Sequence, residues 1–234
     1  MVERSRNFTM KELHAVCFDA DGVLIDSVKP HLKICEDKAR DYGLKLNVPD
    51  VDGFRQMLRR GVKISPMNRM FEAMGFPQEL ADRAFAAYKT DFMRVYRPTL
   101  YPGADRALAS LKDAGLRLGL VTANVLANVE TVLGPSFRFF EPNGIHTQDR
   151  ASAPNKTEAL RMVCSNFGLE PGECLYVGDQ PADWHAARET GMPFLGTTYG
   201  WGITKEDREF PTVDDVSGIA DYILRKVPSP ESNA

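Results

Sequence analysis

The strongest constraint on this chain is the segment Ala15-Val16-Cys17-Phe18-Asp19-Ala20-Asp21-Gly22-Val23-Leu24-Ile25-Asp26-Ser27. A short apolar run stops at two acids one residue apart, and glycine follows at once. Runs of this length, rich in Val and Phe, predict a strand buried on both faces. Gly22 lets the chain bend away at the strand's carboxyl end, and that is where open α/β sheets bind ligands. Two carboxylates so close repel each other, so either a cation sits between them or one holds a proton. A hard divalent cation with oxygen ligands, Mg2+ foremost, resolves the conflict. The pair then permits a division of labour, one Asp as nucleophile beside the metal and the other as general acid/base. Taken alone, Asp-x-Asp-Gly is also the pattern of an ordinary acidic turn after a strand.

The rest of the chain supplies the context. Leu32, Cys35, Ala39 and Tyr42 recur at helical spacing, as do Met67, Met70, Phe71 and Met74, and again Phe85, Tyr88, Phe92 and Val95. Residues 28–97 therefore predict helices with no intervening strand, an inserted cap between the first strand and the next. From Val51 to Arg97 there are nine Lys/Arg against five Asp/Glu in a chain whose net charge is -3. Arg59, Arg60 and Lys63 cluster there, and a basic cap over an acidic mouth favours an anionic substrate; a solvated helix surface is the plainer reading of each residue. The five methionines from Met57 to Met93 are expected to pack the cap core.

Beyond Pro102-Gly103 a helix over 104–111 precedes a second buried strand, Leu116 to Val121, which delivers Thr122-Ala123-Asn124. A helix from Val125 to Leu133 follows, and a short strand is expected near Ile145-His146-Thr147. Lys156 precedes a helix with the face Leu160, Val163, Cys164 and Phe167. Cys174 to Val177 is a further strand, and it stops at Gly178-Asp179, with Asp183 four residues on. Strand 193–197 and a closing helix over 216–224 complete the core, and 228–234 is read as a disordered polar tail.

Four segments of this chain resemble the four motifs of the haloacid dehalogenase-like phosphohydrolase superfamily. The first carries Asp19, Asp21, Gly22, Val23, Leu24, Asp26 and Ser27, the second Thr122, the third Lys156 and the fourth Asp179 with Asp183. Thr157 stands where proline is common after the lysine, and Gln180 and Pro181 replace the commoner small hydroxyl and flexible residues. The resemblance implies an α/β fold, a Rossmann-like doubly wound parallel sheet over 12–27 and 98–227 with an inserted helical cap over 28–97. It implies a phosphatase in which Asp19 attacks phosphorus to give an aspartyl-phosphate, and Asp21 protonates the leaving alkoxide and later activates water. Thr122, Ala123 and Lys156 would bind the phosphoryl group. Mg2+ would be held by Asp19, the backbone carbonyl of Asp21 and Asp179, with Asp183 ordering that shell. Asp26 is expected to fix the loop by hydrogen bonds.

An acid at position 21 favours phosphate esters over the dehalogenase and phosphonatase branches, and the cap points to the phosphoglycolate phosphatase and β-phosphoglucomutase group. His31 stands where the mutases carry a cap-hinge His, so a sugar-phosphate mutase is the alternative, and a binding protein on the same scaffold a third reading. His31, Arg59 and Arg60 are candidate substrate contacts. The partner implied is a small-molecule phosphate ester. The acidic balance argues against nucleic acid, and no run of about 18 apolar residues predicts a membrane span. Cys17, Cys35, Cys164 and Cys174 form no Cys-x-x-Cys pair, consistent with reduced, buried thiols in the cytoplasm. Oligomeric state is left open.

Overall fold

The computed structural model describes residues 12–150 and 153–226; the first eleven residues and the tail over 228–234 lie outside the described residues. In chain order the core begins with β1 (Ala15–Phe18) and β2 (Ile25–Asp26), and the insertion carries α1 (Val28–Asp41), α2 (Val51–Arg59), α3 (Met67–Ala73) and α4 (Gln78–Asp91). The chain returns through β3 (Thr99–Leu100), α5 (Ala104–Asp113), β4 (Arg117–Val121), α6 (Leu126–Leu133) and β5 (Phe140–His146). It closes with α7 (Lys156–Phe167), β6 (Cys174–Gly178), α8 (Pro181–Thr190), β7 (Phe194–Thr197), β8 (Thr212–Val213) and α9 (Ser217–Leu224).

Six strands form one parallel sheet in the order β5-β4-β1-β6-β7-β8. The all-apolar sequence of β1 follows from its central position. Val16 and Phe18 face one side, against α5, α6 and α9, while Ala15 and Cys17 face the other, against α7 and α8. The chain winds outward from β1 in both directions, and the crevice of such a sheet opens where the winding reverses. Phe18 lies level with Leu120 on one neighbour and Val177 on the other. The polar residues that follow the three strands therefore emerge side by side.

The two ends of the insertion are tied by the antiparallel pair β2 and β3, Ile25 opposite Leu100 and Asp26 opposite Thr99. Inside, α1 to α4 pack around Phe54, Met70, Phe71 and Phe92, with Met57 and Met93 at the edge, as the methionine spacing predicts. Trp201, from the segment after β7, inserts into this same cluster. One expectation fails. Val95 is 53% exposed rather than on the apolar face. The segment Phe92–Tyr96 is a π-helical turn, whose extra residue per turn rotates Val95 outward and leaves Tyr96 against the cluster. Two others shift: β5 begins at Phe140, well before Ile145, and the exposed side chain of Asp26 makes no hydrogen bond among the described residues. The loop is held by Ser27 Oγ instead, which donates to Asp21 Oδ1 at 2.5 Å. Among the described residues no helix is long and apolar enough to cross a membrane, and the four cysteines are free and buried.

Candidate active site

Asp19 follows directly on β1, and its N–H still pairs with Val177 O at 2.9 Å, so the sheet ladder fixes its backbone. Its carboxylate accepts the Ala20 N–H at Oδ1 (2.7 Å) and the Lys156 ammonium at Oδ2 (2.6 Å). Lys156 is the first residue of α7, behind an Asn155 cap that accepts the Glu158 N–H. It bridges Asp19 to Asp183 Oδ1, also at 2.6 Å, with 25% of its side chain exposed to the cleft. Burial by itself would lower its pKa, but Asp183 and Asp19 outweigh that and hold it firmly protonated.

Asp183 is committed on both oxygens. Oδ1 also receives the Tyr176 hydroxyl (3.3 Å), and Oδ2 receives the N–H groups of Asp179 (3.1 Å) and Gln180 (3.0 Å). The residues that depart from the superfamily pattern thus have a structural use. Gln180 is the N-cap of α8, in a capping box with Asp183, and Pro181 opens the helix, where a missing N–H costs nothing.

Asp179 is fully buried. Its Oδ2 accepts the Trp201 N–H at 2.6 Å, and its backbone carbonyl accepts from Gly202 (3.0 Å) and Ile203 (2.8 Å), so the segment after β7 wraps it. Its Oδ1 has no hydrogen-bond partner among the described residues. Two glycines make room for this carboxylate. A Cβ on Gly22, whose φ is +77°, would lie 1.9 Å from Asp179 Oδ2, and one on Gly200 would lie 2.4 Å from Asp179 Cβ. Burial, then the charges of Asp183 and Asp19, push the Asp179 carboxyl well above the usual range. Burial likewise raises Asp19, to about 6, against the opposing pull of Lys156.

Ligand atoms of Asp19, Asp179 and Asp183 lie within 4.8 Å of one another, the one such acidic cluster among the described residues. An orphaned buried oxygen beside two acids fits a hard cation, because a cation supplies the charge and the missing partner together. Asp21 is not part of this cluster through its side chain. Its carboxylate turns to Ser27 and to Asn124 Nδ2, which donates to Oδ2 at 2.9 Å.

A cleft of about 830 Å³ opens over these groups. Thr122, at the end of β4, lines it with Ala123. Its Oγ1 accepts the Asn124 N–H at 3.2 Å, which leaves the hydroxyl proton to donate. His31 lines the cleft as a buried residue, not as an exposed first-turn histidine. Its Nδ1 is 2.7 Å from Ser27 O and its Nε2 is 3.4 Å from the Tyr88 hydroxyl. Burial lowers its pKa against the pull of Asp21. Arg59 lines the cleft but is spent on Thr204 (2.9 Å) and Asp207 (3.1 Å). Neighbouring Arg55 donates to Gly200 O at 2.9 Å, so α2 is strapped to the segment that wraps Asp179. Arg60 is exposed and lies outside the cleft; one position further along the helix than Arg59, it points to another face. Lys63 lines the cleft instead, with no ion-pair partner among the described residues. Asn124, Tyr88 and Trp201 were not singled out from sequence. Only the position of Asn124, two residues past Thr122, was a usable signal.

The model of the haloacid dehalogenase-like hydrolase family matches residues 13–191, which contain every one of these core groups except Trp201 and its segment. The chain belongs to that family. Among the similar proteins, a phosphoglycolate phosphatase of Vibrio vulnificus is 29% identical over 92% of this chain and 98% of its own length. An N-acetylmuramic acid 6-phosphate phosphatase of Pseudomonas putida is 28% identical over 92% of this chain and 96% of its own. A haloacid dehalogenase-like protein of Streptococcus pneumoniae superimposes with a TM-score of 0.70 at 21% identity, covering 90% of this chain and 98% of that one, and so shares the fold. In this haloacid dehalogenase-like hydrolase, then, the acids that follow β1 and β6 and the lysine that opens α7 lie together.

Proposed function

We propose that this hydrolase is a Mg2+-dependent phosphomonoesterase working through an aspartyl-phosphate on Asp19. The observation that carries the reading is the placement of Asp19. It is buried at the carboxyl end of the central strand, held by an N–H and an ammonium, and set beside a carboxylate with an orphaned oxygen. Asp19 and Asp179 would hold the cation with the Asp21 carbonyl, and Asp183 would order Asp19 through Lys156 and Asp179 through its backbone N–H. When bound, the cation neutralises charge on the transferring phosphoryl oxygens.

Asp19 attacks phosphorus as the ester P–O bond breaks, and Asp21 gives its proton to the departing alkoxide. Asp21 then takes a proton from water, which attacks the aspartyl-phosphate and frees Asp19 and inorganic phosphate. Lys156 and the Thr122 hydroxyl donate to the phosphoryl oxygens, where charge develops, and Ala123 lines that end of the cleft.

The cap supports a choice of leaving group. Its contribution to the cleft is mainly apolar, through Leu58, Ile64, Met67 and Met70, beside the neutral polar groups of His31, Ser65 and Tyr88, with the cations Arg59 and Lys63 and no acid among the described residues. That lining suits a phosphate ester whose alcohol part carries an anionic group of its own. The substrates named for both relatives above are acids, and phosphoglycolate is the first to try. Four free buried thiols suit a cytoplasmic setting.

The test is phosphate release from a panel with Mg2+: phosphoglycolate, N-acetylmuramic acid 6-phosphate, sugar phosphates, nucleotides and p-nitrophenyl phosphate. Release that stops with EDTA and in Asp19→Asn is the expected result. A folded protein that releases phosphate from none of them contradicts the reading.

A further inference from the structure

Both oxygens of Asp21 are occupied by a donor, and one of those donors is itself held from the cap. Asn124 Nδ2 donates to Oδ2. The orientation of that amide is fixed from its other end, because Asn124 Oδ1 accepts from Val125 N (2.8 Å), Asn128 Nδ2 (3.1 Å) and the Tyr88 hydroxyl (3.3 Å). With three donors converging on the oxygen, the nitrogen must face Asp21. Two of the donors lie in the stretch after β4, on the same side of the cleft as Asn124. The third comes from α4 of the insertion.

Tyr88 is buried, with Phe92 4.6 Å and His31 5.7 Å away between ring centroids. Its hydroxyl oxygen also lies 3.4 Å from His31 Nε2. Because His31 Nδ1 donates to the carbonyl of Ser27, Nε2 of the neutral ring is an acceptor and shares the one Tyr88 proton with Asn124 Oδ1, and the Ser27 hydroxyl returns to Asp21 Oδ1. The contacts close a ring: Asp21, Asn124, Tyr88, His31, Ser27 and back to Asp21. A carboxylate oxygen has two lone-pair directions. One donor on each oxygen fixes the plane of the Asp21 group and leaves a direction on each free for a proton or the leaving oxygen.

We propose that Tyr88 and Asn124 are positioning residues for Asp21, through which the seating of the cap is transmitted to the acid/base. The inference rests on the phosphomonoesterase reading above. It concerns only the proton transfer: as the ester P–O bond breaks, the pair of electrons stays on the leaving oxygen and the Asp21 proton neutralises it. An alkoxide requires that proton, whereas p-nitrophenoxide is stable without it. In kcat/KM, which reports the steps up to the aspartyl-phosphate, a mispointed Asp21 therefore slows alkyl esters and spares the aryl ester, while its later activation of water is common to both and enters only kcat.

The experiment compares kcat/KM for the best alkyl phosphate and for p-nitrophenyl phosphate in wild type, Asp21→Asn, Asn124→Ala and Tyr88→Phe. General acid catalysis contributes about 10²–10⁴-fold, so loss of alignment in Asn124→Ala is expected to cost roughly 10–100-fold in kcat/KM on the alkyl ester and under about 3-fold on the aryl ester. Tyr88→Phe keeps the ring and removes one hydrogen bond, with an expected alkyl loss of about 3–10-fold and the same selectivity. Equal losses on the two esters, or none, in Tyr88→Phe overturn the proposal even if Asn124→Ala fails to fold. Wild type inert on both esters would instead defeat the phosphatase reading, and Asp21→Asn without leaving-group selectivity would defeat the role of Asp21 on which Tyr88 and Asn124 are argued to act.

Discussion

On the floor of the cleft, Asp19, Lys156, Asp183 and Asp179 are joined by contacts of 2.6–3.1 Å and anchored to the ends of β1 and β6 and the starts of α7 and α8. Across from them the cap offers Leu58, Ile64, Met67 and Met70, with Lys63 lacking an ion-pair partner among the described residues and Arg59 already paired. The floor is over-determined. Its groups each have two or more partners, and the exception is Asp179 Oδ1. The roof is held by packing and by the α2 strap, and it presents few fixed polar groups. Dense charge with fixed geometry suits one reaction on one phosphoryl group; an apolar wall with one ammonium outside any ion pair among the described residues suits selection among alcohols. On the proposed function, the difference assigns chemistry and substrate choice to separate parts of this molecule, with Tyr88 as the proposed point where they meet.

Substitutions should separate the two. Asp19→Asn is isosteric and removes the nucleophile, so phosphate release from every ester should fall at least about 10³-fold. Lys156→Met should cost roughly 10²–10³-fold in kcat on all esters alike, since it removes a phosphoryl donor and leaves Asp19 and Asp183 facing each other uncompensated. A loss confined to some esters would break the assignment of Lys156 to the floor.

Asp179→Asn tests the orphaned oxygen. In the metal-free protein burial raises Asp179 well above the usual range and Asp19 to about 6, so the folded state binds more protons than the unfolded state above the ordinary carboxylate range. Stability contributed by these protonated groups is present at low pH and lost as pH rises through their folded values. Metal-free wild type should thus lose melting temperature on going from about pH 4 to beyond pH 6, and Mg2+ should restore it at neutral pH. Asp179→Asn should melt higher than metal-free wild type at pH 7, by about 2–4 °C for each kcal/mol regained, and respond little to Mg2+. A variant that melts lower and still responds fully to Mg2+ would remove Asp179 from the cation site.

The smallest effect belongs to the roof. Lys63→Met should raise KM about 2–5-fold for esters with an anionic leaving group and leave neutral alcohol phosphates and kcat unchanged. Equal effects on both kinds of ester would show that the roof does not sort by charge.

The floor was legible because each of its side chains sits at a chain break that sequence marks: acids at the ends of apolar runs, Lys156 at a helix start. Their common site was implied by the resemblance to the family's motifs, and the parallel sheet brings the ends of β4, β1 and β6 side by side. The partnering was not legible. That Lys156 would bridge Asp183, that Trp201 N–H would cap Asp179, or that Arg59 would be spent on Asp207 depends on segments distant in sequence. Tyr88 was visible only as one apolar member of a helical stripe, because periodicity reports which face is buried and not where a hydroxyl ends. Val95 was misplaced for a related reason: a single π-turn shifts the phase, and nothing in Phe85-Tyr88-Phe92-Val95 announces it.

The most direct measurement is to quench the Mg2+-loaded protein during turnover of p-nitrophenyl phosphate in acid, digest it and locate the phosphoryl mass increment by peptide sequencing in a mass spectrometer. The increment is predicted on Asp19, absent from Asp19→Asn and lost when fresh enzyme is allowed to complete turnover. Turnover with no labelled peptide at any quench time, or with the label on another residue, would contradict the account.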